Sequence, residues 1–185
     1  LDSPPRPFVA VFSGVELEAQ LGVMASLLPR VDFLIIFVPA ERITNPGSLP
    51  LGQQALESAF RTFLSDYPDI PLVFDPVLAS GRGDELADDE MISAIHALLL
   101  PHTTVLTPNS IEARRLTAET DEEENDGHLP LAECAQRLIA FGCEYALLTG
   151  THENTSKVIN TLYGETGMVR ADHWERLPGS YHGSG

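Results

Sequence analysis

The stretch Leu106–Leu116 reads LTPNSIEARRL, and it sets an asparagine and a glutamate, Asn109 and Glu112, where an apolar strand hands over to a helix. Two readings stand side by side. Asn109 caps the helix and Glu112 reaches back to complete a capping box, or the pair faces a ligand. The choice depends on what else in the chain ends at the same edge.

Working outward, TTVLTP before the pair reads as a strand and NSIEARRLT as the helix that follows. Upstream, IPLVFDPV is a buried strand running into Asp75, and ADDEMISAIHALLLP is a helix that opens with acids, suited to the positive end of its dipole, and stops at Pro101. Downstream, LPLAECAQRLIAFG is a helix ending at Gly142, with Leu131, Cys134, Leu138 and Ile139 as its core stripe, and EYALLTG is a strand ending at Thr149 and Gly150. Toward the beginning, FVAVF and VDFLIIFV are further apolar strands. VELEAQLGVMASLLPR, which ends at Pro29, and LGQQALESAFRTFLSDY have helical spacing. SKVINTLYGETGMVRADHWERL alternates around a glycine-containing turn, as an antiparallel hairpin does. Apolar strands alternating with helices specify an α/β fold, a mostly parallel sheet with helices on both faces. No internal repeat or linker divides the chain, so one domain over residues 1–185 is expected.

Composition narrows the function. The 185 residues carry 27 acidic against 11 basic side chains, a net charge of −16, with 43% hydrophobic residues. Such a surface repels phosphate backbones and argues against nucleic-acid binding. It equally repels a bare nucleotide, so any phosphate site must rely on metal ions, backbone N–H groups or helix N-termini. Cys134 and Cys143 are too few for a disulfide framework or zinc site and read as core thiols of a cytoplasmic protein. No apolar run reaches the roughly 20 residues needed to span a bilayer.

In a parallel α/β sheet, ligands bind beyond the carboxyl ends of the strands. Asp75, Asn109 with Glu112, and Thr149 with Gly150 all fall there, and the tail adds HGSG, His182–Gly185, a loop able to turn backbone N–H groups toward an anion. Taken singly, each has a structural reading. Asp75 before Pro76 shapes a turn, the Asn–Glu pair caps a helix, and TG is ordinary loop chemistry. The acids Asp84, Glu85, Asp88, Asp89 and Glu90 read as a solvated loop and helix start, and His96 and His102 as structural. Together, the rim residues suit a hard divalent cation carried by a nucleotide, with a glycine loop aimed at a transferring phosphoryl group.

These residues carry a resemblance. The stretch from Pro71 to Leu116, with DPV at Asp75–Val77, LLP before TVLTPN, Asn109-x-x-Glu112, and the closing HGSG, resembles the hydroxymethylpyrimidine/phosphomethylpyrimidine kinases of thiamine biosynthesis. That family sits in the ribokinase-like superfamily with the pyridoxal kinases, and the likeness covers roughly residues 8–14 and 31–185. It implies ATP and Mg2+ as cofactors, with Asp75, Asn109 and Glu112 on the metal side and Asn109, Thr149 and Gly150 toward the nucleotide. Thr149 stands where many relatives have a lysine. Gly183, Ser184 and Gly185 would form the anion hole, and the catalytic base would be the residue after Gly185, where the chain stops. Gly14 runs into Val15 where relatives carry a pyrimidine-holding loop, so a longer kinase is expected. The acceptor is expected to be a small pyrimidine and the assembly a homodimer. The alternatives are a pyridoxal kinase and a non-catalytic ligand-binding or regulatory module of the same fold.

Overall fold

Runs of β-branched and aromatic residues near the start of the chain form strands as their composition favours. In the computed structural model, which describes residues 9–13, 23–24, 26–37, 71–78, 89–118 and 129–176, β1 (Val9–Ser13) pairs in parallel with β2 (Phe33–Phe37), Val9 opposite Phe33. Parallel neighbours need a crossover. Its end is a 3-10 turn, Leu28–Arg30, with Pro29 in the first turn, where its missing N–H costs nothing. Ala10 and Met24 are buried in this first unit, Leu1–Asp69.

The second unit, Ile70–Gly185, holds a five-stranded sheet in the order β3 (Val73–Phe74), β4 (Val105–Leu106), β5 (Tyr145–Leu148), β6 (Lys157–Gly164) and β7 (Gly167–Glu175). β3, β4 and β5 run parallel; β6 and β7 are antiparallel additions that form the expected hairpin. Gly167 allows the tight turn between them, with φ of 110° that side chains avoid. The segment IPLVFDPV was expected to be buried. Instead Val73 is 63% exposed, since no described element covers its face of β3.

Among the described residues three helices serve this sheet: α1 (Asp89–Ala94), α2 (Ser110–Thr117) and α3 (Leu131–Ala140). The core gathers Leu78, Ile92, Ile95, Leu100, Leu106, Ala113, Leu116, Cys134, Leu138, Ala146 and Leu148. α3 contributes Cys134, Ala135 and Leu138 at helical spacing, with Leu131 and Ile139 half-buried beside them. It ends at Gly142, whose φ of 119° and close approach to Pro101 Cα leave no room for a side chain.

The segment expected as one helix to Pro101 is divided. After α1 the backbone widens into a π-turn, Ile95–Leu99, where Leu100 N–H donates to Ile95 O, and then tightens into a 3-10 turn, Leu100–His102. The changes of pitch keep Ile92, Ile95 and Leu100 all in the core. His96 on the π-turn donates from Nε2 to Leu116 O at 2.8 Å and stacks on Phe141. Its role is structural, and burial lowers its pKa.

The helix expected in LGQQALESAFRTFLSDY, the acidic stretch Glu119–His128, Asp84, Glu85, Asp88, the Gly14–Val15 join and the His182–Gly185 loop lie outside the described residues. Among the described residues no helix is long and apolar enough to cross a membrane.

Candidate active site

The parallel half of the sheet sets three chain segments at one edge. Thr107 N–H donates to Phe74 O at 2.9 Å, tying the exit of β4 to that of β3, and Thr149 N–H donates to Pro108 O at 3.0 Å, tying β5 to β4. A parallel bridge links Asn109 to Thr149. Asp75, Asn109 and Thr149 thus each follow the carboxyl end of adjacent parallel strands.

At the start of α2, both readings of LTPNSIEARRL meet in the same atoms. Asn109 Oδ1 accepts from the N–H groups of Ile111 and Glu112, each at 2.9 Å, and Glu112 Oε2 accepts from Asn109 N–H at 2.8 Å. This is a complete capping box, worth about 1 kcal/mol. Yet Glu112 is only 8% exposed, an unusual depth for a carboxylate whose task is capping. Burial raises its pKa; backbone N–H groups of Asn109 and Leu78 oppose the rise, and the Asp75 charge adds to it. Asp75 remains exposed as a residue, but partial burial of its carboxyl raises its pKa as well.

A carboxylate whose ionisation is opposed by burial and by a neighbouring carboxylate makes a locus short of positive charge. A hard cation bearing its own oxygen ligands answers that shortage, and so does a proton. Among the described residues no three His, Cys, Asp or Glu side chains cluster. The pair Asp75 and Glu112 could hold a cation that arrives with phosphate oxygens.

The nucleotide-side expectation, Thr149 and Gly150, lies on the same edge. Gly150 is buried, its N–H donates to Asn160 Oδ1 at 3.1 Å, and a Cβ there would overlap the carbonyl oxygen of Ile159. Glycine is required by close approach of β6. Of the expected site residues, Asp75, Asn109, Glu112, Thr149 and Gly150 are thereby brought to one edge, while Gly183, Ser184 and Gly185 fall outside the described residues.

Sequence reasoning missed the groups that brace this edge. Arg114 Nη1 and Nη2 donate to Glu153 Oε1 and Oε2 at 2.7 and 3.1 Å, and Arg114 Nε to Leu129 O at 3.2 Å. Arg114 holds the Glu153 carboxyl below its ordinary range, and the Ser110 hydroxyl helps to hold it down. The only sequence signal was the adjacent pair Arg114–Arg115, whose partners are far away in the chain.

Comparison with solved structures places this α/β arrangement in the ribokinase-like fold. A Bacillus subtilis pyridoxal kinase, solved as an ADP complex, superposes with a TM-score of 0.61 over 90% of this chain and 57% of that one, at 22% identity. The chain matches the phosphomethylpyrimidine kinase family over residues 51–185 and belongs to that family. It is 34% identical over 110 residues to the hydroxymethylpyrimidine/phosphomethylpyrimidine kinase of Streptomyces coelicolor, a match covering 60% of this chain and 38% of that protein. It is 32% identical over 119 residues to the pyridoxine kinase of Bacillus subtilis, covering 62% and 41%. The chain thus spans about two fifths of these relatives.

Proposed function

We propose that the protein is an ATP-dependent kinase that phosphorylates hydroxymethylpyrimidine and then its monophosphate, in a single domain over residues 1–185. The observation that carries this reading is the juxtaposition of Asp75, Asn109, Glu112 and Thr149 at the exits of β3, β4 and β5, together with membership of the phosphomethylpyrimidine kinase family.

In the transfer, the substrate hydroxymethyl oxygen forms a bond to the γ-phosphorus, the bond from that phosphorus to the β,γ-bridging oxygen breaks, and ADP leaves with the electron pair. The hydroxyl proton passes to a base. Such chemistry asks little of the protein beyond alignment and charge placement. Asp75 and Glu112, with Asn109, would hold Mg2+, which when bound neutralises charge on the nucleotide's phosphates. Glu112 is kept at the rim by its own helix, since its carboxylate is fixed by the Asn109 N–H. Thr149 offers a hydroxyl to a phosphate oxygen, Gly150 admits close backbone approach, and Gly183, Ser184 and Gly185 supply donors to the transferring group.

The test is ATP consumption by the full-length protein with hydroxymethylpyrimidine and pyridoxal side by side. ADP formation that depends on the pyrimidine, followed by a second turnover on its monophosphate, is the expected result. Dependence on pyridoxal alone would transfer the assignment to the second reading, which the pyridoxine kinase relative favours. ATP binding with neither acceptor turned over would leave a binding module.

A further inference from the structure

The loop from Gly150 to Ser156 leaves β5 at the proposed nucleotide edge, and its sequence, GTHENTS, has nothing apolar to bury. Composition of this kind specifies a mobile connection. Two arginines hold it instead. Arg176, just past β7, lays its guanidinium across the loop and donates to three alternate carbonyls: Nη1 to Thr151 O at 2.8 Å, Nη2 to Glu153 O at 2.8 Å and Nε to Thr155 O at 3.2 Å. From the other side Arg114, on the helix that begins with Asn109, grips both oxygens of the Glu153 carboxylate. The first residue of the loop is fixed as well, through Gly150 N–H and Asn160 Oδ1.

Water alone would satisfy those exposed carbonyls. Immobilising a long arginine side chain to do so costs rotamer entropy, and what it gains is a single loop geometry. That geometry matters here because Thr149 brings a hydroxyl and no charge. A hydrogen bond weakens steeply with misplacement, whereas an ion pair tolerates it.

We propose that Arg114, Glu153 and Arg176 form a clamp of positioning residues that holds the 150–156 loop beside the nucleotide phosphates and so sets affinity for ATP, not for the acceptor. This inference rests on the kinase reading of the same edge. The clamp joins a helix, a loop and the outer strand of the hairpin, three elements far apart in the chain, at one glutamate.

The experiment uses full-length protein carrying Arg176→Ala, Arg176→Lys or Glu153→Gln, read by amide hydrogen exchange and by steady-state kinetics. In R176A and E153Q, exchange across residues 150–156 is expected to accelerate by about tenfold or more, with α3 unchanged. The ATP KM should rise by about 5- to 20-fold, while kcat and the pyrimidine KM stay within about twofold of the unsubstituted enzyme. R176K should fall between, because one ammonium cannot reach all three carbonyls. Unchanged loop exchange overturns the clamp. Faster exchange with an unchanged ATP KM overturns its link to the nucleotide, and a fall in kcat at constant KM marks simple loss of folded enzyme and overturns it too. If the unsubstituted protein phosphorylates nothing, the kinase reading fails, and the exchange measurement still decides whether the clamp holds the loop.

Discussion

Helix α2 has one glutamate in its first turn and another lying along its flank, and their surroundings act on them in opposite directions. Glu112 is buried beside Asp75, takes its hydrogen bonds from backbone N–H groups, and has its pKa raised by burial first and by the neighbouring carboxylate last. Glu153 is gripped by both terminal nitrogens of Arg114, which lower its pKa. A carboxylate with a purely structural task is normally given a cation of the protein's own. One set beside another carboxylate suits positive charge from outside the chain, and on that difference we distinguish the candidate site from its support.

The harshest way to break the comparison is to remove Glu112. Glu112→Ala is expected to lower kcat/KM by about 100-fold or more, roughly 3 kcal/mol of transition-state stabilisation, while the lost cap costs only about 1 kcal/mol of fold stability. Activity with hydroxymethylpyrimidine and a urea titration measure the two effects separately. Equal small losses in both would reduce Glu112 to a cap.

Next in size is Gly150, where β5 meets the 150–156 loop. Gly150→Ala forces a Cβ into the Ile159 carbonyl and should cost about 2–3 kcal/mol by shift of the denaturation midpoint. Gly167→Ala meets open space at φ of 110° and should cost only about 1 kcal/mol, from backbone strain.

The two carboxylate environments also predict crossed pH dependences. Glu153 has a folded pKa below its unfolded one, so its contribution is present above the unfolded value of about 4.5 and is lost as pH falls through the folded value. Glu153→Gln should therefore destabilise by about 1 kcal/mol at neutral pH, with the deficit closing in acid. Asp75 has a raised folded pKa, so its favourable contribution exists below about 3.8 and disappears as pH rises through the folded value. Asp75→Asn should accordingly unfold at a higher temperature than the native protein at pH 7, without added metal, and lose that advantage toward acid. Thermal scans across pH check both signs, and parallel curves would erase the distinction.

The smallest effect calibrates the rest. Lys157 and Glu175 face each other across the hairpin at 3.0 Å, both exposed, and Lys157→Ala should change stability by no more than about 0.5 kcal/mol. A larger cost would mean that the Arg114–Glu153 pair is less special than its geometry implies.

Much of the frame was legible in the sequence because it rests on local signals. Apolar runs announced β4 and β5, GETG announced the hairpin turn, Gly142 announced the end of α3, and the Asn109–Glu112 spacing announced a capped helix. The exposure of Val73 was not legible, since an apolar run carries no record of whether another element covers its strand. Nor was the π-turn at Ile95–Leu99, whose widened pitch answers to where Leu100 must pack.

The sequence by itself determined the alternation of strand and helix, the family, and the identity of the residues that end the parallel strands. These follow from side-chain periodicity and turn chemistry, which act over a few residues. Only the tertiary structure decided which glutamate faces a carboxylate and which an arginine. Asp75 and Glu112, like Arg114 and Glu153, are brought together by parallel strand pairing across tens of residues, and a charge acquires its meaning from what the sheet sets beside it.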